Sequence, residues 1–196
     1  MSSSGGSGGF AASRPVAVLI GPPGSGKTVT GRALAALLEV SFHDTDEHIV
    51  AVGGRPIADI FVDDGEAAFR ALERAEVARA LAQEPGVVSL GGGAPVDEQT
   101  RALLVESRDG GAAGGSPVPV VFLDVGIADA ARRIGFDQSR PLLAVNPRAS
   151  WIAMMAQRRP VYEGLATHTV DTAGRTPQAV AEAVAELLHA TDSSSR

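Results

Sequence analysis

Short β-branched apolar runs alternate along the chain with longer stretches in which apolar residues recur every three or four positions. The short runs fall at Val16–Ile20, Val40–Phe42, Gly86–Leu90 and Val118–Asp124, with a weaker one at His168–Val170. Runs of this length and make-up predict buried strands. Between them, Gly26–Leu38, Ala67–Ala82 and Thr100–Glu106 carry helical patterning, and Arg158 and Arg159 close another helical stretch before Pro160. The last helix is the clearest. Thr176 is placed to cap it, Pro177 takes its first turn, and Val180, Val184, Leu187 and Leu188 form one stripe. This alternation predicts an α/β fold, with a parallel sheet covered on both faces.

Composition narrows the picture only a little. The 196 residues fit one domain, with 44% hydrophobic and 20% charged residues. The Ser/Gly-rich start over residues 1–13 and the end over 190–196 read as flexible tails, leaving one domain over 14–189. Gly110–Pro119 reads as a flexible connection. A net charge of −6 gives no basic footprint for nucleic acid. The chain has no apolar run of membrane-spanning length and no signal-peptide core, so a cytoplasmic protein is expected. With no cysteine, disulfides and thiolate sites are excluded. Of 17 basic residues, only Lys27 is lysine.

That lysine sits in the strongest motif. Val16–Ile20 runs directly into Gly21-Pro-Pro-Gly-Ser-Gly-Lys-Thr28, which satisfies G-x-x-x-x-G-K-[ST], with a strand before it and a helix after it. Such a loop lets backbone N–H groups curl around phosphate oxygens at a helix N-terminus. Lys27 is placed for the β- and γ-phosphates and the Thr28 hydroxyl for Mg²⁺. A nucleoside triphosphate ligand follows.

Ser41–Glu47 (SFHDTDE) ends an apolar run with two carboxylates one residue apart. If the strand continues, Asp44 and Asp46 share one face; if a helix begins, Asp46 is its N-cap. Ligands of an open parallel sheet bind beyond the carboxyl ends of the strands. Both carboxylates therefore belong at the edge that carries the phosphate loop, where Lys27 and Mg²⁺ offset their charge. One can face the metal shell and the other a substrate hydroxyl.

Three further groupings point to an anionic acceptor. Glu66, Arg70 and Glu73 fall on one helical face, either as a solvated ion-pair row or as a guanidinium oriented by acids to grip an anion. Gly91–Gly93 follows an apolar strand and permits close approach of backbone to ligand. Arg140 sits in a Gly/Pro-punctuated segment of the kind that forms a mobile lid.

In order, GPPGSGKT, DTD, ADIF, DGEAAFRALE, SLGGGA, RRIGFDQSRPLL, RRPVYEGLA and VDTAGRTP resemble shikimate kinase, of the nucleoside-monophosphate-kinase-like P-loop group, from about Val16 to Leu188. The resemblance implies a three-layer α/β/α P-loop domain with a five-stranded parallel sheet and a short mobile lid at about 135–148. It implies a cytoplasmic monomer that binds ATP, Mg²⁺ and shikimate and transfers phosphate to the shikimate 3-hydroxyl. Asp46 would hold that hydroxyl as base, and Asp44 would meet the metal through water. Lys27 and Arg140 would complete the catalytic set. ATP would lie on Gly24, Ser25, Gly26, Lys27, Thr28, Val29, Thr30 and Gly31, with Arg133 and Pro177 flanking adenine and Arg175 nearby. Arg70 and Arg158 would bind the shikimate carboxylate, Phe61 and Phe69 would pack its ring, and Gly91, Gly92 and Gly93 would offer backbone. Two features depart from the family pattern: the Gly110–Pro119 connection is longer, and Gln157 stands where a basic residue often precedes the carboxylate-binding arginine.

A kinase for another hydroxy acid such as gluconate needs the same loop and base, but no feature favours it over shikimate. A nucleoside-monophosphate kinase would need phosphate and base recognition in its acceptor site and a longer lid. A nucleotide switch would keep Lys27 and Thr28 yet have no need of Asp46, Arg70 and Arg158 together.

Overall fold

The computed structural model describes residues 14–111, 115–134 and 146–194. Five strands, β1 (Ala17–Ile20), β2 (Phe42–Asp44), β3 (Val87–Ser89), β4 (Val120–Asp124) and β5 (His168–Asp171), form one sheet in the order β2-β3-β1-β4-β5. All four pairings are parallel. The helices are α1 (Lys27–Leu37), α2 (Thr45–Gly53), α3 (Ile57–Asp63), α4 (Gly65–Gln83), α5 (Glu98–Arg108), α6 (Ile127–Ile134), α7 (Pro147–Leu165) and α8 (Pro177–Ser194).

The period of two along the central strands builds three layers. On one face Val18, Ile20, Val120 and Phe122 pack with Val77, Leu104, Met155 and Tyr162 from α4, α5 and α7. On the other, Ala17, Leu19, Val121 and Leu123 meet Leu34 of α1 and Val180, Val184 and Leu188 of α8. A strand buried on both faces has no polar face to show, which is why β1 and β4 read as unbroken apolar runs. Gly31 brings α1 close to the sheet: a Cβ there would stand 2.3 Å from the Phe42 ring. The residue expected among the nucleotide contacts therefore faces Phe42 and Leu19, away from the cleft.

Several boundaries differ from the pattern-based expectation, most by one or two residues at an element's end. Val40 belongs to the turn out of α1, its N–H donating to Ala35 O, and β2 starts at Phe42, where pairing with Val87 of β3 begins. Helices α2 and α3 were not separately legible, being short and partly exposed. Helix α7 continues through Pro160 to Leu165. An interior proline costs a helix about 3 kcal/mol, but Trp151, Met155, Tyr162 and Leu165 on α7 are all buried and hold the helix to the sheet. Helix α8 runs to Ser194, so residues 190–194 extend it where a flexible end was expected. Thr176 does cap α8, its Oγ1 accepting from Ala179 N at 3.2 Å.

Of the expected lid, residues 135–145, Arg140 included, lie outside the described residues. Residues 146–148 belong to the start of α7, where the Asn146 side chain accepts from Ala149 N.

Candidate active site

The C-terminal ends of β1, β2 and β3 deliver three segments to one edge of the sheet: the glycine-rich loop, the Asp44–Asp46 turn and Gly91–Gly93. They border a cleft of about 660 Å³ that runs from the loop past Arg133 and Arg175 to Pro177. Gly24, Ser25, Gly26, Lys27, Thr28, Val29 and Thr30 line its floor.

Gly26 adopts φ +86 at the N-cap of α1, a conformation that costs an L side chain strain. No side chain of the described residues caps this helix, so its first amides and dipole face the cleft, as anion binding requires. Lys27 Nζ donates to Gly21 O at 2.8 Å and Pro22 O at 3.2 Å. Burial lowers its pKa to about 8, with Arg158 adding to the effect and Asp46 and Asp44 opposing it.

Asp44, not Asp46, caps α2: its Oδ1 accepts from Asp46 N at 3.0 Å and Glu47 N at 3.4 Å. Its Oδ2 accepts from Thr28 Oγ1 at 2.8 Å. Asp44 ends β2 and Asp46 opens α2, so the two carboxylates do not share a strand face; the strand-to-helix turn brings them together. A hydroxyl and a carboxylate side by side at the phosphate end of the cleft are hard oxygen donors, and they fit a Mg²⁺ ion with its waters.

Asp46 Oδ1 is buried without a hydrogen-bond partner among the described residues. Burial, then the charges of Asp44 and Glu73, push its carboxyl up to about 6, against the pull of Lys27 and Arg70. Gly91 makes this placement possible: a Cβ there would come within 2.5 Å of Asp46 Oδ1 and 2.8 Å of Glu73 Oε1. Its N–H is taken by Thr45 Oγ1 at 3.1 Å, so Gly91 supplies room instead of the backbone contact expected of it.

Arg70 Nη1 donates to Glu73 Oε2 at 2.5 Å and Nη2 to Glu66 Oε1 at 3.4 Å. Glu73 is 2% exposed, so the pair is a fixed fork, not a solvated row. Burial raises the Glu73 carboxyl above its usual range, and the Arg70 hydrogen bond only partly offsets this. Gly93 lies flat against the Arg70 guanidinium, leaving no space for a side chain. Phe61 and Phe69 stack at 4.6 Å beneath it. Phe69 is 4% exposed and packs with Ile49 and Ile60, so it supports Arg70 from the core and offers little surface to a ligand.

Gly92 O is fully engaged, accepting from Arg158 Nη1 at 3.2 Å and Tyr162 Oη at 2.6 Å. Arg133 is similarly clamped: Nη1 donates to Gly24 O and Thr172 Oγ1, and Nη2 to Thr172 O at 2.6 Å. It ties the loop to the turn after β5 while lining the cleft. Arg175 donates to Ala179 O at 2.7 Å, at the mouth beside Pro177.

Four contributors were not singled out from sequence: Thr45, Trp151, Tyr162 and Thr172. Thr45 Oγ1 also donates to Ser89 O, joining the Asp44–Asp46 turn to β3. Trp151 Nε1 donates to Pro23 O at 3.4 Å. The single Trp and single Tyr of the chain were the only signal available.

Parallel sheet, phosphate loop and a carboxylate aimed into the cleft beside a cationic wall define a P-loop phosphotransferase acting on a small anionic acceptor. The family model for shikimate kinase matches residues 23–189. A shikimate kinase of Salinispora arenicola is 54% identical over 176 residues, covering 90% of this chain and 99% of that protein. One from Thermobifida fusca is 54% identical over 178 residues, covering 91% and 97%. The structure of shikimate kinase from Acinetobacter baumannii in complex with shikimate superposes with a TM-score of 0.79 at 29% identity, covering 92% of this chain and 95% of that one. The chain belongs to the shikimate kinase family, enzymes of the kinase type whose fold and loop it carries throughout.

Proposed function

We propose that the chain transfers the terminal phosphoryl group of ATP to the 3-hydroxyl of shikimate, giving shikimate 3-phosphate and ADP. The observation that carries this reading is Asp46: a buried, unpaired carboxylate oxygen lying between Lys27 and Arg70 and faced by a glycine. Such an oxygen is free to accept the acceptor's hydroxyl proton, and a carboxyl held near 6 is basic enough to keep it as transfer proceeds.

The remaining roles follow from position. The loop amides and Lys27 hold the phosphates, and Lys27 neutralises charge on the transferring group. Thr28 and Asp44 would hold Mg²⁺, Asp44 by way of the ion's waters, and the ion would neutralise phosphate charge. Arg70, fixed by Glu73, and Arg158, fixed on Gly92 O, grip the shikimate carboxylate, so that one hydroxyl faces Asp46. Phe61 supplies the apolar contact for the ring. Arg133, Arg175 and Pro177 border the nucleoside. The family resemblance assigns Arg140, which lies outside the described residues, to the phosphates. The site is assembled within one chain, which suits a monomer, and the reaction draws on cytoplasmic ATP. No helix of the described residues is long and apolar enough to cross a membrane. A net charge of −6 suits a small-molecule enzyme without a nucleic-acid partner.

ADP release with MgATP, compared across shikimate, gluconate, quinate and a nucleoside monophosphate, tests the proposal. Release dependent on shikimate supports it; release with another acceptor, or with none, overturns the acceptor assignment.

A further inference from the structure

Behind the acceptor wall, and outside the cleft, two imidazoles meet on one buried carboxylate. Glu76 of α4 is 7% exposed. Its Oε1 lies 2.6 Å from His43 Nε2 on β2, and its Oε2 lies 2.8 Å from His48 Nδ1 on α2. Arg79 closes the other side, donating from Nε to Oε2 and from Nη2 to Oε1, each at 2.9 Å. The His43, His48 and Glu76 atoms lie close enough together to suggest a metal centre. The Arg79 guanidinium, however, engages both Glu76 oxygens and stands 3.0 Å from His43 Nε2, so the position an ion would take already holds a cation. Since the carboxylate only accepts, His43 Nε2 carries the hydrogen and donates to it.

The placement of these residues gives the cluster a use. His43 directly precedes Asp44, and His48 follows Asp46 by two positions in the first turns of α2. Glu76 follows Glu73 by one helical turn on α4, the helix that presents Arg70. Asp46 and Arg70 thus stand on separate elements on either side of the acceptor space. Among the described residues no hydrogen bond fixes Asp46 Oδ1, so its position depends on how β2 and α2 are held. Thr45 ties their junction to β3; Glu76 ties it to α4.

We propose that Glu76 is a positioning residue for the acceptor site: by gripping His43 and His48 it sets the distance between the base Asp46 and the carboxylate-binding Arg70. This rests on the shikimate reading above. Burial works against the charged carboxyl of Glu76, yet the hydrogen bonds from Arg79 and His43 keep it below its usual range, so the grip is that of an anion on its donors.

The test compares His43→Leu, which deletes the donor, with His43→Gln, whose side-chain amide can place an N–H where Nε2 stands, and with Glu76→Gln. Losing one hydrogen bond of this kind is expected to raise the KM for shikimate about fivefold or more. The KM for ATP should stay within about twofold, because the cluster reaches the phosphate loop only indirectly, through Asp44 and its bond to Thr28, which stays intact in these variants. His43→Gln should restore most of the shikimate KM. Equal kinetics for His43→Leu and His43→Gln, or parallel rises in both KM values, would overturn the proposal even if the melting temperature fell. A wild-type enzyme that fails to turn over shikimate would instead overturn the functional reading on which it rests. If Glu76→Gln does not fold, the His43 pair decides alone.

Discussion

Thr28 donates its hydroxyl hydrogen to Asp44 Oδ2 at 2.8 Å, joining the first turn of α1 to the end of β2. The same two oxygens are those proposed for the metal shell, and the bond would hold the pair ready for the ion. Replacing Thr28 with Val removes the hydroxyl at nearly constant volume. The expected result is a rise in the half-saturating Mg²⁺ concentration of roughly tenfold, following the loss of a metal ligand's support, with Thr28→Ser close to wild type. Magnesium titrations of initial rate check this.

Asp46→Asn should keep nucleotide binding and lose phosphoryl transfer by a factor of about 10²–10⁴, the range for a positioned general base. It should also stabilise the fold. Because the Asp46 carboxyl is raised to about 6 in the folded chain from the ordinary 3.8, the unfolded chain ionises first as pH rises. Stability is lost between those values, and above pH 6 the charged group costs the folded state on the order of 3 kcal/mol. Asparagine carries no such charge. Calorimetric ATP binding, kcat and melting temperature at pH 7.5 measure all three expectations. A variant that turned over normally would remove Asp46 from the mechanism.

The pH profile of kcat/KM should be bell-shaped in the free enzyme. Activity rises as Asp46 loses its proton near 6 and falls as Lys27 loses its own near 8. Phosphate binding favours the ammonium, so in kcat the alkaline limb should move to higher pH. An alkaline limb at the same pH in both parameters would show that Lys27 does not set it.

Gly91→Ala should reduce both activity and stability, since the added carbon would stand within 2.5 Å of Asp46 Oδ1 and 2.8 Å of Glu73 Oε1. Overpacking of this kind costs about 1–3 kcal/mol. The kinetic loss should exceed what stability explains, appearing in kcat at temperatures where the variant is fully folded.

Trp151 is the chain's single tryptophan, and its indole N–H reaches Pro23 O of the phosphate loop. Its intrinsic fluorescence should therefore change on ATP binding and follow a single saturation curve. Lys27→Ala should remove that response at ATP concentrations that saturate the wild type.

The sequence made the sheet legible because β1 and β4 are buried on both faces and so carry uninterrupted apolar runs. The phosphate loop was legible for a different reason, since anion binding by backbone demands glycines at fixed spacing. The acceptor wall was harder to read. Glu73 could be paired with Arg70 from helical spacing, yet Tyr162 meets Gly92 across 70 positions and no local pattern signals such a contact. For Asp44 and Asp46 the sequence allowed two readings, a shared strand face or a helix capped by Asp46, and local pattern does not decide between them. The chain turns into α2 between them, and the cap that makes the turn is itself Asp44. Gly91 and Gly31 show the same limit: sequence marks a glycine as permitting close approach, but only the fold says to what.

The two carbonyls that Lys27 holds, those of Gly21 and Pro22, belong to the loop that receives phosphate. An ammonium engaged in this way acts as a latch: two of its three N–H donors hold the loop's curvature, and the third is left for a phosphate oxygen. The side chain that neutralises the nucleotide thus also shapes its cradle, so loss of Lys27 removes a charge and a strut together.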